Sequence, residues 1–234
     1  MRKGGLLLVY VTALAAIAGL AWPFHAEKAA SPPPDQYGLS EDVLMRMQRA
    51  GMDIPSHLYP EDAYIDGITP LGRQMDRFRE DFSTFSAILN DRAVRLYWIS
   101  TAPFGLPPSL LALKDDNGKH SIFVAEGARN AAATLRCEKP LDAALANRVE
   151  ADWENVLLET RPTTRRRYRG TDGSVAHFGM MSRAGLITGT MWNPPRPFKP
   201  GWLDQVAVQL ATICETGRPA PALETALKAI ETAK

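Results

Sequence analysis

Asp172, Ser174 and His177 lie close together in the chain and are of types that do chemistry. A carboxylate, a hydroxyl and an imidazole are the parts of a nucleophilic hydrolase, which needs them in mutual contact. If residues 174–181 form a strand, positions 174 and 177 project to opposite faces and do not pair. Asp172 with His177 is then the candidate pair, with an arginine such as Arg167 to hold an anion. No G-x-S-x-G surrounds the serine. A glycosidase would need two carboxylates across a groove. Glu126, Asp142, Glu150 and Asp172 are available, but no pattern singles out two of them. His57, Glu61, Asp62 and Asp66 share a loop without the spacing of a calcium site, and they read as solvated charges. No zinc-ligand spacing, phosphate loop or dinucleotide fingerprint is present, so neither a metal nor a cofactor is expected.

Residues suited to binding are easier to find. Arg165, Arg167 and Arg169 alternate along a short run and, with His177, would make one basic side of a sheet. Phe104 follows Pro103, while Trp192, Phe198 and Trp202 bracket Pro194, Pro195, Pro197 and Pro200. Aromatic side chains held by rigid proline loops make good anchors. The blander readings are a solvated sheet face for the arginines and a sealed core edge for the aromatics. Cys137 and Cys214 are the two cysteines. Outside the cytoplasm such a pair forms a disulfide; inside it they would be buried thiols.

The elements that must position these residues follow from turns and periodicity. Residues 165–169, 174–181 and 186–192 read as three strands, joined by Gly170-Thr171-Asp172-Gly173 and Ser182-Arg183-Ala184-Gly185, because Asp-Gly between alternating runs favours a hairpin. Ala176, Phe178 and Met180 then face away from Val175, His177 and Gly179. Upstream, Thr69-Pro70 opens a helix striped by Leu71, Met75, Phe78, Phe82, Phe85 and Leu89, one apolar face at helical spacing. Residues 93–100 read as a strand with Val94, Leu96 and Trp98 on one face, and 109–114 with 120–126 as a hairpin across Asn117-Gly118. Residues 127–139 are Ala-rich and ambiguous. A helix from Pro140 to about Thr160 carries Leu141, Leu145, Val149, Trp153, Val156 and Leu157, and a third over 201–216 carries Leu203, Val206, Leu210 and Ile213. A last short helix, 222–233, is expected to fray. The two groups of three strands suggest a loose duplication, although no self-similarity is visible.

The N-terminus points to export. Arg2 and Lys3 precede an uncharged run, residues 4–24, near the length that crosses a membrane. The basic flank would keep the start in the cytoplasm and send the rest outward. The expected arrangement is a signal anchor or signal peptide over 1–24, a Pro-rich spacer over 25–38 and a single domain over 39–234. The localisation expected is the inner membrane with the domain on the periplasmic side; the alternative is a periplasmic or secreted product cleaved near Ala21. The chain holds 27 Lys and Arg against 26 Asp and Glu. A dedicated nucleic-acid binder needs a basic excess, so nucleic acid is not an expected partner.

The order RLYWISTAPFGLPP, a DNG hairpin, a helix ending in ADWENVLL and GTDGSVAHFGM…GTMWNPP resembles small exported bacterial proteins of uncharacterised activity, over about residues 92–214. The motif residues Trp153, Asp172, Gly173, Trp192 and Pro194 are turn and core positions, so the resemblance implies a fold and no activity. The expected fold is α+β, a mostly antiparallel sheet of about six short strands packed by three main helices, after an N-terminal hydrophobic helix. The expected role is a membrane-tethered, non-catalytic binding or accessory protein of the bacterial cell envelope. The alternatives are an envelope hydrolase using Asp172 and His177, or an inhibitor or immunity-type partner of another exported protein.

Overall fold

Asn117 and Gly118 set the register of the first hairpin. Both have positive φ, 54° and 84°, the conformation a two-residue turn needs to match the twist of its strands. Asp115 Oδ1 accepts the Gly118 N–H at 2.7 Å, and Asp116 pairs with Lys119 to close the turn. Every other pair of that hairpin follows from this one.

The computed structural model describes residues 45–46, 49–51, 56–60, 83–101, 107–128, 131–162, 174–218 and 220–233. All of them lie in one unit, Tyr37–Lys234. In chain order the elements are α1 (Ser86–Leu89), β1 (Val94–Thr101), β2 (Ser109–Asp116), β3 (Lys119–Ala128), β4 (Ala131–Pro140), α2 (Ala143–Leu158), β5 (Val175–Ser182), β6 (Gly185–Trp192), α3 (Lys199–Thr216) and α4 (Pro221–Thr232). The strands form one antiparallel sheet in the order β4-β3-β2-β1-β5-β6. The fold is therefore α+β. After β4 the chain passes through α2 and returns on the far side of β1. Tyr59 adds a single bridge to Thr190 at the outer edge of β6.

The two faces of the sheet carry separate cores. Leu96, Trp98, Leu111, Leu113, Ile122, Val124, Ala176, Phe178 and Met180 pack against α2, α3 and α4. There the fully buried Trp153 meets Phe178 edge-to-face at 5.6 Å. The opposite face collects Tyr97, Ile99, Leu110, Ala112, Phe123 and Ala125 with Phe85 and Val94. The alternation expected for 174–181 holds: Phe178 faces the helices, and His177 lies on the other side, opposite Ile99 and Thr190.

Several expectations are corrected. Val94 does not share a face with Leu96, because a register shift between them adds a residue and turns Val94 to the opposite core. The Ala-rich stretch is strand β4, which β3 pairs along most of its length despite two irregularities. Pro140 ends β4 and does not open α2; Asp142 does, its side chain accepting the Leu145 N–H at 3.0 Å. The last helix is docked on the others: Leu223, Ala226, Leu227 and Ile230 are buried, and Arg148 of α2 bonds both Glu224 and Glu231. Among the described residues the sheet has one continuous order, with four strands before α2 and two after the crossover; the third strand that a duplication would need after α2 falls on 165–169, outside them. His57, read as a solvated loop residue, is buried beside Tyr59. The strand 165–169 and most of the helix after Thr69 lie outside the described residues, as do the hydrophobic leader and the spacer. Among the described residues no helix is long and apolar enough to cross a membrane.

Cys137 on β4 and Cys214 on α3 have their Sγ atoms 2.09 Å apart, at disulfide distance, across a sequence separation of 77. The bond ties the outermost strand to the helical layer. Closing a loop of that length contributes about 4–5 kcal/mol through the unfolded state. The Cys137→Ser/Cys214→Ser variant should lose that much in urea denaturation of the oxidised protein; equal midpoints would show that the pair is not bonded. A second weak point is Gly179, where an added Cβ would fall within the Tyr97 ring. Gly179→Ala should cost about 1–3 kcal/mol by overpacking, read as a lowered Tm.

Candidate functional site

Past β6 the chain has no sheet to follow, and its path is set by prolines and by two backbone anchors. Asn193 adopts a positive φ of 42°. Its N–H donates to the Ser174 carbonyl, and its Oδ1 accepts the Ser174 N–H, both at 2.8 Å. This clasp holds the loop against the start of β5. Pro194, Pro195, Pro197 and Pro200 have no N–H to donate, and Pro195 and Pro200 are buried. Gly201 lets the first turn of α3 lie directly on the Pro195–Arg196 backbone, which a Cβ would strike. Lys199 pairs with Glu159 just past α2, so the start of α3 is tied to the neighbouring helix.

This rigid corner carries a shelf of polar and aromatic groups. Trp202 Nε1 donates to the Pro197 carbonyl at 3.1 Å, which fixes the indole plane. The Arg196 guanidinium lies over that ring, 5.4 Å from its centroid, an arrangement favoured by the ring's negative face. Phe198 and Trp202 are half-buried, as is Trp192 at the end of β6. Two residues further along α3, Asp204 accepts the indole N–H of Trp98 at 2.9 Å. Burial pushes the Asp204 carboxyl up to about 6, against the opposing pull of the Trp98 hydrogen bond and the Arg196 charge. The shelf thus pairs a permanently charged guanidinium, held over an aromatic ring, with a carboxyl that changes charge in mildly acid solution.

The residues expected to act do not all come together here. Trp192, Phe198 and Trp202 share this corner. Phe104, Arg165, Arg167, Arg169 and Asp172 lie outside the described residues. His177 is elsewhere, on the other face of the sheet, and is only 5% exposed. The expectation that it lines a solvated basic face is therefore corrected: it is buried, on the strand position between Ile99 of β1 and Thr190 of β6. Burial depresses its basicity to about 3, far from the value that suits a general base at neutral pH. The carboxylates weighed for glycoside chemistry are scattered. Glu126 holds Arg136, Asp142 caps α2, and Glu150 sits at the hairpin end of the sheet with Arg95 Nε 4.0 Å away. Among the described residues no group of three His, Cys, Asp or Glu is arranged to hold a metal ion.

Arg196, Asp204 and Trp98 are the site residues that sequence reading missed. Arg196 had a signal, since a charged residue between two prolines cannot fold back into a regular element. Asp204 had none, because only the packing of α3 on β1 reveals which acid of that helix meets the Trp98 indole. No protein-family model matches the chain, and no curated protein or solved structure matches it either.

The two groups with large shifts, Asp204 and His177, make opposite contributions to stability against pH. Asp204 is raised from an unfolded value near 3.8 to about 6, so its stabilisation is full below the first and lost as pH rises through the second. Asp204→Asn should therefore gain at most about 3 kcal/mol at pH 7.5, with the gain vanishing towards pH 3. His177 is lowered from 6.5 to about 3, so the fold loses stability as pH falls between those values. His177→Gln should flatten that acid limb while leaving the Asp204 limb in place. Urea midpoints from pH 3 to 8 check both, and parallel profiles for all three proteins would contradict them.

Proposed function

We propose that this chain is an exported, membrane-tethered, non-catalytic binding protein of the bacterial cell envelope, and that it binds through the proline-built shelf at Arg196 and Trp202. One observation carries the reading: a guanidinium laid on a half-buried indole, in a loop clasped to β5 at one end and to α3 at the other. Rigid aromatic and arginine anchors lose little entropy on binding and dominate recognition surfaces. The leader supports export, with Arg2 and Lys3 ahead of the apolar run over 4–24. The cysteine pair at disulfide distance suits an oxidising compartment. A hydrolytic role has less support, because His177 is enclosed and its basicity depressed.

The test is fractionation of bacterial cells expressing the intact chain, with N-terminal sequencing of the product and external protease added to spheroplasts. The expected product retains Met1, sediments with membranes and is digested from outside. A soluble cytosolic product, protected from the protease, would overturn the reading.

A further inference from the structure

We propose that the shelf's ligand is a carboxylate carried on an aromatic or aliphatic body, with the carboxylate on Arg196 and the body against Phe198 and Trp202. The inference rests on the binding role given above and names the chemistry of that same site.

Arg196 makes no hydrogen bond and no ion pair among the described residues; its one contact of note is the Trp202 ring. The contact with the ring occupies none of the guanidinium N–H donors with an acceptor. Those donors form a fork that matches a carboxylate in two parallel hydrogen bonds. The nearby Lys199 does not add a second cation, since Glu159 already holds it. The first turn of α3 does not supply a nest of amides, because the Gly201 and Trp202 N–H groups both donate to the Phe198 carbonyl. One positive charge, felt by the Asp204 carboxyl but bonded to no acid among the described residues, suits a monoanion, whereas a phosphate group would call for more donors than the corner has. The half-buried rings beside the charge suit an apolar body, so the ligand must carry both parts.

Asp204 gives the site a second property. Its charge acts on Arg196 and opposes an incoming anion; the Trp98 indole on β1 is its hydrogen-bond donor, and Arg196 on the loop is the charged group that acts on it among the described residues. When Asp204 takes up a proton, that opposition ends. Carboxylate binding should therefore tighten as the solution becomes mildly acid.

The test uses the full-length protein in mild detergent, with the indole N–H resonances of Trp98 and Trp202 followed by NMR. The probes are phenylacetate, a dipeptide ending in phenylalanine with a free carboxylate, the same dipeptide as its amide, and acetate. Both phenyl carboxylates should move the Trp202 resonance saturably, about tenfold more tightly than the amide or acetate. Arg196→Gln should lose at least tenfold while the remaining indole resonances stay in place. The dipeptide acid should bind about threefold or more tightly at pH 5.2 than at 7.5, with Asp204→Asn abolishing the difference. A dipeptide that outcompetes phenylacetate would point to a chain terminus as the source, and the reverse to a free organic acid. Equal binding of acid and amide, or full affinity in Arg196→Gln, would overturn the inference while leaving an envelope location intact. A cytosolic location would sink the broader reading without touching the titration.

Discussion

β1 is buried on both faces, and most of the structure is arranged to satisfy that condition. Leu96 and Trp98 point into the helical layer, while Tyr97 and Ile99 point into the second core. A strand of this kind cannot be an edge, because its backbone N–H and C=O groups would be stranded away from water. The β2–β3 hairpin supplies one neighbour from the next stretch of chain. The other neighbour, β5, arrives only after α2 has crossed over the sheet. That crossover lays Trp153 on Phe178 and so builds the main core in the same step that completes the sheet. Gly179 is part of the same condition on the other face, where it makes room for the Tyr97 ring.

The candidate site is a by-product of burying Trp98. An indole in a core leaves one N–H that requires an acceptor, and Asp204 provides it. The carboxyl is desolvated in doing so and its proton affinity rises. The hydrogen bond that locks α3 onto the sheet is thus also the reason a titratable group stands behind Arg196. Rigidity at the surface and a charge that responds to acidity have the same structural origin. His177, buried in the other core, carries the opposite linkage, so the two faces of one sheet pull the pH dependence of stability in opposing directions.

Much of the architecture was legible because its causes are short-range. Asn117-Gly118 announced a hairpin since few residue pairs tolerate two positive φ values. The alternation of Ala176, Phe178 and Met180 predicted a face, and the spacing of Leu203, Val206 and Leu210 predicted a helix. The stretch 131–140 was ambiguous because Ala has no strand preference of its own; β3 made it a strand by pairing with it. Val94 misled because a bulge changes the parity on which alternation depends. For the site, the aromatics beside the prolines were visible as anchors, but His177 looked exposed because an alternating strand does not say what covers its second face.

The sequence by itself determined the turns, caps and periodic faces, and hence the α+β class, through sterics and hydrogen bonds acting over a few residues. It also supplied the cysteines and the proline corner. Only the tertiary structure decided the strand order, the approach of Cys137 to Cys214, the enclosure of His177, and the choice of Asp204 as the acid that meets Trp98. Each of those depends on groups far apart in the chain, and the burial that shifts a proton affinity is a property of what surrounds a residue, not of the residue itself.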